Sequence, residues 1–204
     1  MGFRDEFRSL CSKLGGKWRE GLPNFMQYCD DAERLPGREL LDLIRAGGGP
    51  KDTITFSITT KEDEEGVRRK IFGIFIEGTD KSYILLSPEI NFTSILPKLK
   101  PPERRYVDKM MARHAERVDR QLKEEILGET LGEEYKKAGH CAYDYAGRLY
   151  CFIEATLPKD YIMGEPVEKF LGLLLGRFSR TAVIGAGIIR MSDIAVGKRT
   201  FLRE

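Results

Sequence analysis

The sequence predicts an α+β fold, a mostly antiparallel sheet covered by helices, with a helical segment at the N-terminus. Three observations carry that prediction. Apolar residues form strand-like runs over 53–60, 70–78 and 82–87 with short joining segments, which specifies a three-strand meander. A long helical stripe over 103–127 separates this meander from a second hairpin at 140–155. Helices and strands do not alternate strictly, as a doubly wound parallel sheet requires. The chain of 204 residues thus divides into a helical segment, 1–50, and an α+β unit, 51–204, expected to form one compact body.

Within the first segment, Phe3, Phe7, Leu10, Cys11 and Leu14 fall on one face of a helix that Gly15 and Gly16 end. Pro23 followed by Phe25, Met26, Tyr28 and Cys29 predicts a second short helix. Residues 37–46 predict a third, closed by Gly47, Gly48, Gly49 and Pro50. The period then changes to two. Ile54, Phe56 and Ile58 alternate with Thr and Ser, as a half-buried strand does. Residues 70–78 are apolar on both faces, which places that strand centrally, and 82–87 follows.

Pro101 and Pro102 precede the long helix, whose stripe comprises Tyr106, Val107, Met110, Met111, His114, Val118, Leu122 and Ile126. The second hairpin turns near Ala146 and Gly147. A short helix, 165–178, carries Pro166 in its first turn, and the Gly-Ala-Gly segment at 185–187 reads as part of a late strand before a basic tail. From the meander's preceding helix onward, the order loosely resembles the small fold of type III secretion chaperones. That resemblance is one of element order alone, without a shared residue motif.

Composition bounds the function. Formal net charge is +2, from 34 basic and 32 acidic residues, so overall charge points to neither nucleic acid nor an anionic membrane. Charged residues make up 32% of the chain, while Asn occurs only at 24 and 91 and Gln only at 27 and 121. Many ion formers with few amides is the habit of thermophile proteins. The opening residues carry charges and no apolar run, and the uncharged stretch 181–189 is too short to span a bilayer. The expectation is a cytoplasmic protein without membrane contact. Cys11, Cys29, Cys141 and Cys151 lack C-x-x-C spacing, which in a reducing compartment predicts buried thiols.

Two glycine-rich stretches imitate nucleotide-binding loops. A dinucleotide fingerprint needs a third small residue, but Gly185 and Gly187 are followed by Arg190, with too little chain beyond it for the rest of the unit. In 46–53, Pro50 precedes Lys51 and Asp52 occupies the hydroxyl position of a phosphate loop, between a helix and a strand in the wrong order. No cofactor and no metal are expected. As strand residues Gly185 and Gly187 share a bare face, and Gly172 and Gly176 leave another on the preceding helix. With Phe170 they make a candidate association surface for a homodimer or a protein partner.

Two further groupings carry chemistry. A two-residue turn at 146–147 places His140, Asp144 and Cys151 on one face, where a base, an orienting acid and a thiol nucleophile could cooperate. Arg105, Lys109, Arg113, Arg117 and Arg120 line the long helix as phosphate contacts would. Asp108, Glu116 and Asp119 interrupt them, and Glu116–Arg120 and Asp119–Lys123 have ion-pair spacing, which favours a salt-bridged solvated face. The leading expectation is a non-catalytic binding or regulatory protein that self-associates. The alternatives are a cysteine-dependent enzyme at the 140–151 hairpin and a weak nucleic-acid binder through the basic line.

Overall fold

One face of a seven-stranded sheet carries the helices, and the other is left open by the described residues. A computed structural model describes residues 2–21, 26–47, 53–131, 136–158 and 165–201, with side chains in the last helix as far as Ser192. The elements run α1 (Phe3–Lys13), β1 (Lys17–Glu20), β2 (Met26–Ala32), α2 (Glu39–Gly47), β3 (Thr53–Thr60), β4 (Arg68–Glu77) and β5 (Lys81–Asn91). After a 3-10 turn come α3 (Pro101–Gln121), a π-helical turn (Leu122–Leu127), α4 (Gly128–Thr130), β6 (Lys136–Asp144), β7 (Arg148–Pro158) and α5 (Glu165–Phe201). The α+β class is as predicted.

Strand order is β1-β2-β3-β4-β5-β7-β6, antiparallel at every pair except β2 with β3. The parallel pair needs a crossover, which α2 supplies. Register aligns Phe56, Gly73, Leu86, Ile153 and Gly139 in one row across the covered face. Phe7 of α1 meets Phe56 at one end of the row, with ring centroids 6.0 Å apart. Leu122 and Leu127 cover Gly139 at the other, where a Cβ would stand within 3 Å of both. The predicted inward set Ile54, Phe56 and Ile58 is buried, as are Val107, Met111, Val118, Leu122 and Ile126 of the long stripe. The open face carries Tyr28, Phe72, Ile74, Ile76, Leu85, Tyr150 and Phe152.

Four local expectations are corrected. The segment expected as a second helix is strand β2; Pro23 and Phe25 lie outside the described residues. Gln27 and Cys29 face the core while Met26 and Tyr28 do not, and pairing with β3 decides between two periods that so short an apolar run cannot separate. The first fifty residues are therefore not purely helical, since β1 and β2 extend the sheet. The expected late strand is the interior of α5: one helix runs through Gly185 and Gly187, which then no longer share a face. The thiols are two disulfides, Cys11–Cys29 and Cys141–Cys151. The fourth correction concerns the second hairpin's register and bears on the site. Residues 48–52, including the false phosphate loop's Lys51 and Asp52, lie outside the described residues.

Candidate functional site

The structure separates His140, Asp144 and Cys151. Asp144 pairs with Arg148 around a three-residue turn, so Cys151 stands opposite Cys141 rather than Ala142. This one-residue shift sends His140 and Asp144 outward and both cysteines into the buried face. Turn chemistry sets the register. Asp144 Oδ1 accepts the amides of Gly147 and Arg148 at 3.0 Å, and Oδ2 accepts Arg148 Nε at 2.7 Å. Gly147 has φ +115°, a conformation L side chains rarely adopt, so this turn calls for glycine. Asp144 closes the turn and Cys151 is bonded to Cys141, leaving no thiol beside a base.

His140 instead meets the long helix. Its Nδ1 lies 3.2 Å from Asp119 Oδ1, which also accepts the Cys141 amide at 2.8 Å. Lys123 Nζ donates to the other oxygen at 2.8 Å, the ion pair expected from spacing. Burial pushes the Asp119 carboxyl up, but these donors and charges outweigh it and hold the group below its ordinary range. Nearby, Tyr143 donates to Asp108 Oδ1 at 2.6 Å, and Arg104 grips both Asp108 oxygens at 3.1 Å. Burial first, then the Asp108 hydrogen bond, pushes the Tyr143 hydroxyl well above the usual phenol range. These contacts fasten α3 to β6 and offer no reactive group.

Residues proposed for the association surface divide in two. Phe170 and Gly185 belong to the core; a Cβ on Gly185 would stand 2.6 Å from the Phe92 ring, so the glycine permits close packing of α5. Gly172, Gly176 and Gly187 have open space where a Cβ would be. They lie on the outward side of α5 with Leu173, Val183, Ile184 and Met191, of which Val183 is 62% and Met191 58% exposed. An apolar strip thus faces solvent along several turns of α5. The strip is not legible in a sequence whose Gly185 and Gly187 suggest a strand.

The basic line of α3 is where spacing placed it. Arg105, Lys109, Arg113, Arg117 and Arg120 are all exposed, and none has an ion-pair partner among the described residues. The expected Glu116–Arg120 pair is not formed. On α5, Arg177 bonds Glu125 at 2.7 Å and Arg190 bonds Glu65 at 3.2 Å, while exposed Arg180 has no such partner among the described residues. Met111 beside Gly185, His114 beside Thr181 and Glu125 beside Arg177 show that α5 runs antiparallel to α3. Both helices bury their opposite faces in one core, so their exposed faces look the same way. Cations and apolar strip form one surface.

His114 lies within the layer, as its place on the stripe predicts. Its Nε2 is 3.3 Å from the Thr181 carbonyl, Nδ1 has no partner among the described residues, and burial lowers its pKa. Two cavities of about 380 and 360 Å³ open beside α5 and share Gly37 and Leu175. Their arginines are matched, Arg38 to Glu168, Arg34 to Glu39 and Arg69 to Asp63. Among the described residues no cluster of three His, Cys, Asp or Glu side chains is placed to hold a metal. No family model matches the chain, and neither a curated protein nor a solved structure shows significant similarity to it.

Proposed function

We propose that the chain is a non-catalytic binding protein whose working surface is the outer side of its helical layer. The observation that carries this reading is the set of six exposed cations, Arg105, Lys109, Arg113, Arg117, Arg120 and Arg180, lying without acid partners among the described residues and beside an exposed apolar strip. Neither feature serves the core, and a stretch of uncompensated charge next to exposed hydrocarbon is what a contact site requires. The enzyme alternative has no assembled thiol, base and acid to support it. Retention on a heparin column at low salt tests the surface. The native chain should be retained and elute as salt rises. Arg113→Glu with Arg117→Glu should elute markedly earlier with an unchanged melting curve. Equal elution of the two proteins would remove the reading.

Self-association is supported by a different observation, the sheet's open face. Phe152 is 51% and Ile76 41% exposed there, among half-buried Phe72, Ile74, Leu85 and Tyr150. Two such faces can meet as sheets do in a sandwich, about 10 Å apart. Native mass spectrometry should then show a dimer that Phe152→Glu converts to monomer; a monomeric native chain would dismiss it. The cytoplasm remains the proposed location. Thermophile-like composition supports it, because intracellular chains of hyperthermophiles are disulfide-rich and two disulfides are at home there.

A further inference from the structure

Resting on that contact surface, we infer that its partner is the anionic face of a lipid bilayer, with α5 lying in the plane of the interface. The first ground is the burial of α5. Residues 165–192 are long and apolar enough to cross a membrane, yet only a third of their most apolar stretch is buried inside the protein. A core helix of that composition would be mostly enclosed. The inner side of α5 is nevertheless fixed in the core through Phe170, Leu174 and Phe178, so the helix lies on a bilayer and does not span it.

The second ground is charge. From Lys169 to Ser192 the helix contains no acid, and the six cations without acid partners among the described residues stand on the same surface as its apolar strip. Of the exposed side chains along the α3 line, Glu116 alone is acidic among 105, 109, 113, 116, 117 and 120. An interfacial helix takes this form: apolar side chains enter the boundary between headgroups and acyl chains, while cations at its margin meet anionic headgroups. The chain's near-neutral net charge conceals this segregation.

Other occupants fit less well. A nucleic acid satisfies the cations but gains nothing from Leu173, Val183, Ile184 and Met191, against which its phosphates would lose hydration without a compensating partner. A second copy docking helical layer to helical layer about a two-fold axis would set two identical basic lines beside each other. A bilayer with anionic lipid satisfies both components at once.

Co-sedimentation with large unilamellar vesicles tests this. The full chain is mixed with vesicles of phosphatidylcholine alone or with about one-third phosphatidylglycerol, at low and at physiological salt. Two surface variants are compared, Arg113→Glu with Arg117→Glu, and Val183→Ser with Ile184→Ser; each is first shown to melt like the native chain. Expected is binding to anionic vesicles, weakened by salt, poor on phosphatidylcholine, and reduced about tenfold or more by either variant. Binding unaffected by Val183→Ser with Ile184→Ser would overturn the interfacial placement of α5. Absence of vesicle binding by a chain still retained on heparin would overturn the lipid partner and leave the contact surface standing. Tight binding of a single-stranded oligonucleotide without vesicle binding would likewise transfer the surface to nucleic acid. Loss of heparin retention as well would end both readings together.

Discussion

Phe56→Ala is expected to lower the free energy of unfolding by about 3–5 kcal/mol, the range for truncating a buried aromatic residue. Phe56 is 1% exposed and stands near the middle of the sheet. Its ring spans two elements at once. It meets Phe7 of α1 with planes 44° apart, and it lies over Gly73 so closely that a Cβ there would be 2.4 Å from the ring. The backbone of β4 thus forms the floor of the cavity that truncation leaves, and a paired central strand cannot move in to fill it. Urea unfolding followed by circular dichroism measures the effect, with an unchanged slope confirming that the unfolded state is the same. A loss below about 1 kcal/mol would show that α1 does not dock on β3 as described.

Replacing Cys11 and Cys29 together with serine should cost about 3 kcal/mol. The bond closes a loop with a sequence separation of 18, and the chain-entropy estimate for such a loop is about 3 kcal/mol. Both residues are almost fully buried, one on α1 and one on β2, so the link ties the N-terminal helix to the sheet. Gly16 leaves the space it needs, since a Cβ there would stand 2.5 Å from the Cys29 sulfur. Cys141–Cys151 joins residues already opposite each other in a hairpin, with a separation of 10, so its loss should cost somewhat less. Thermal unfolding of the double variant against the native chain measures the first bond. An unaltered midpoint, together with four titratable thiols in the denatured chain, would mean that neither bond forms.

Elements fixed by local pattern were legible. Ile54, Phe56 and Ile58 announce β3 by alternation, and the stripe from Val107 to Ile126 announces α3, because each period persists over enough residues to exclude the other. The elements misread are those decided by distant partners. Met26, Tyr28 and Cys29 fit a helix or a strand until β3 lies beside them. Gly185 and Gly187 suggest a strand until Phe92 is seen against Gly185, where close approach of α5 outweighs glycine's low helix propensity. The hairpin register was open to local reading. Asp144 followed three residues on by Gly147 is the pattern of a side-chain-closed turn, and it competes locally with a two-residue turn at 146–147. Of the candidate surface, the cations of α3 are visible in the sequence; that they have no acid partner among the described residues is not, since spacing alone pairs Glu116 with Arg120.

The Cys141 amide, accepted by Asp119, belongs to an outermost strand. An amide on the free side of β6 would otherwise be open to pairing with a strand from another molecule. The carboxylate of α3 occupies it, and Lys136 and Lys137 begin the same strand with charge. At the opposite margin β1 is four residues long and carries Lys17, Arg19 and Glu20. Both rims of the sheet are therefore guarded against runaway strand-to-strand growth, the route to ribbons and fibrils. A protein with so much exposed hydrocarbon on its two broad sides can remain dispersed because its edges refuse to polymerise.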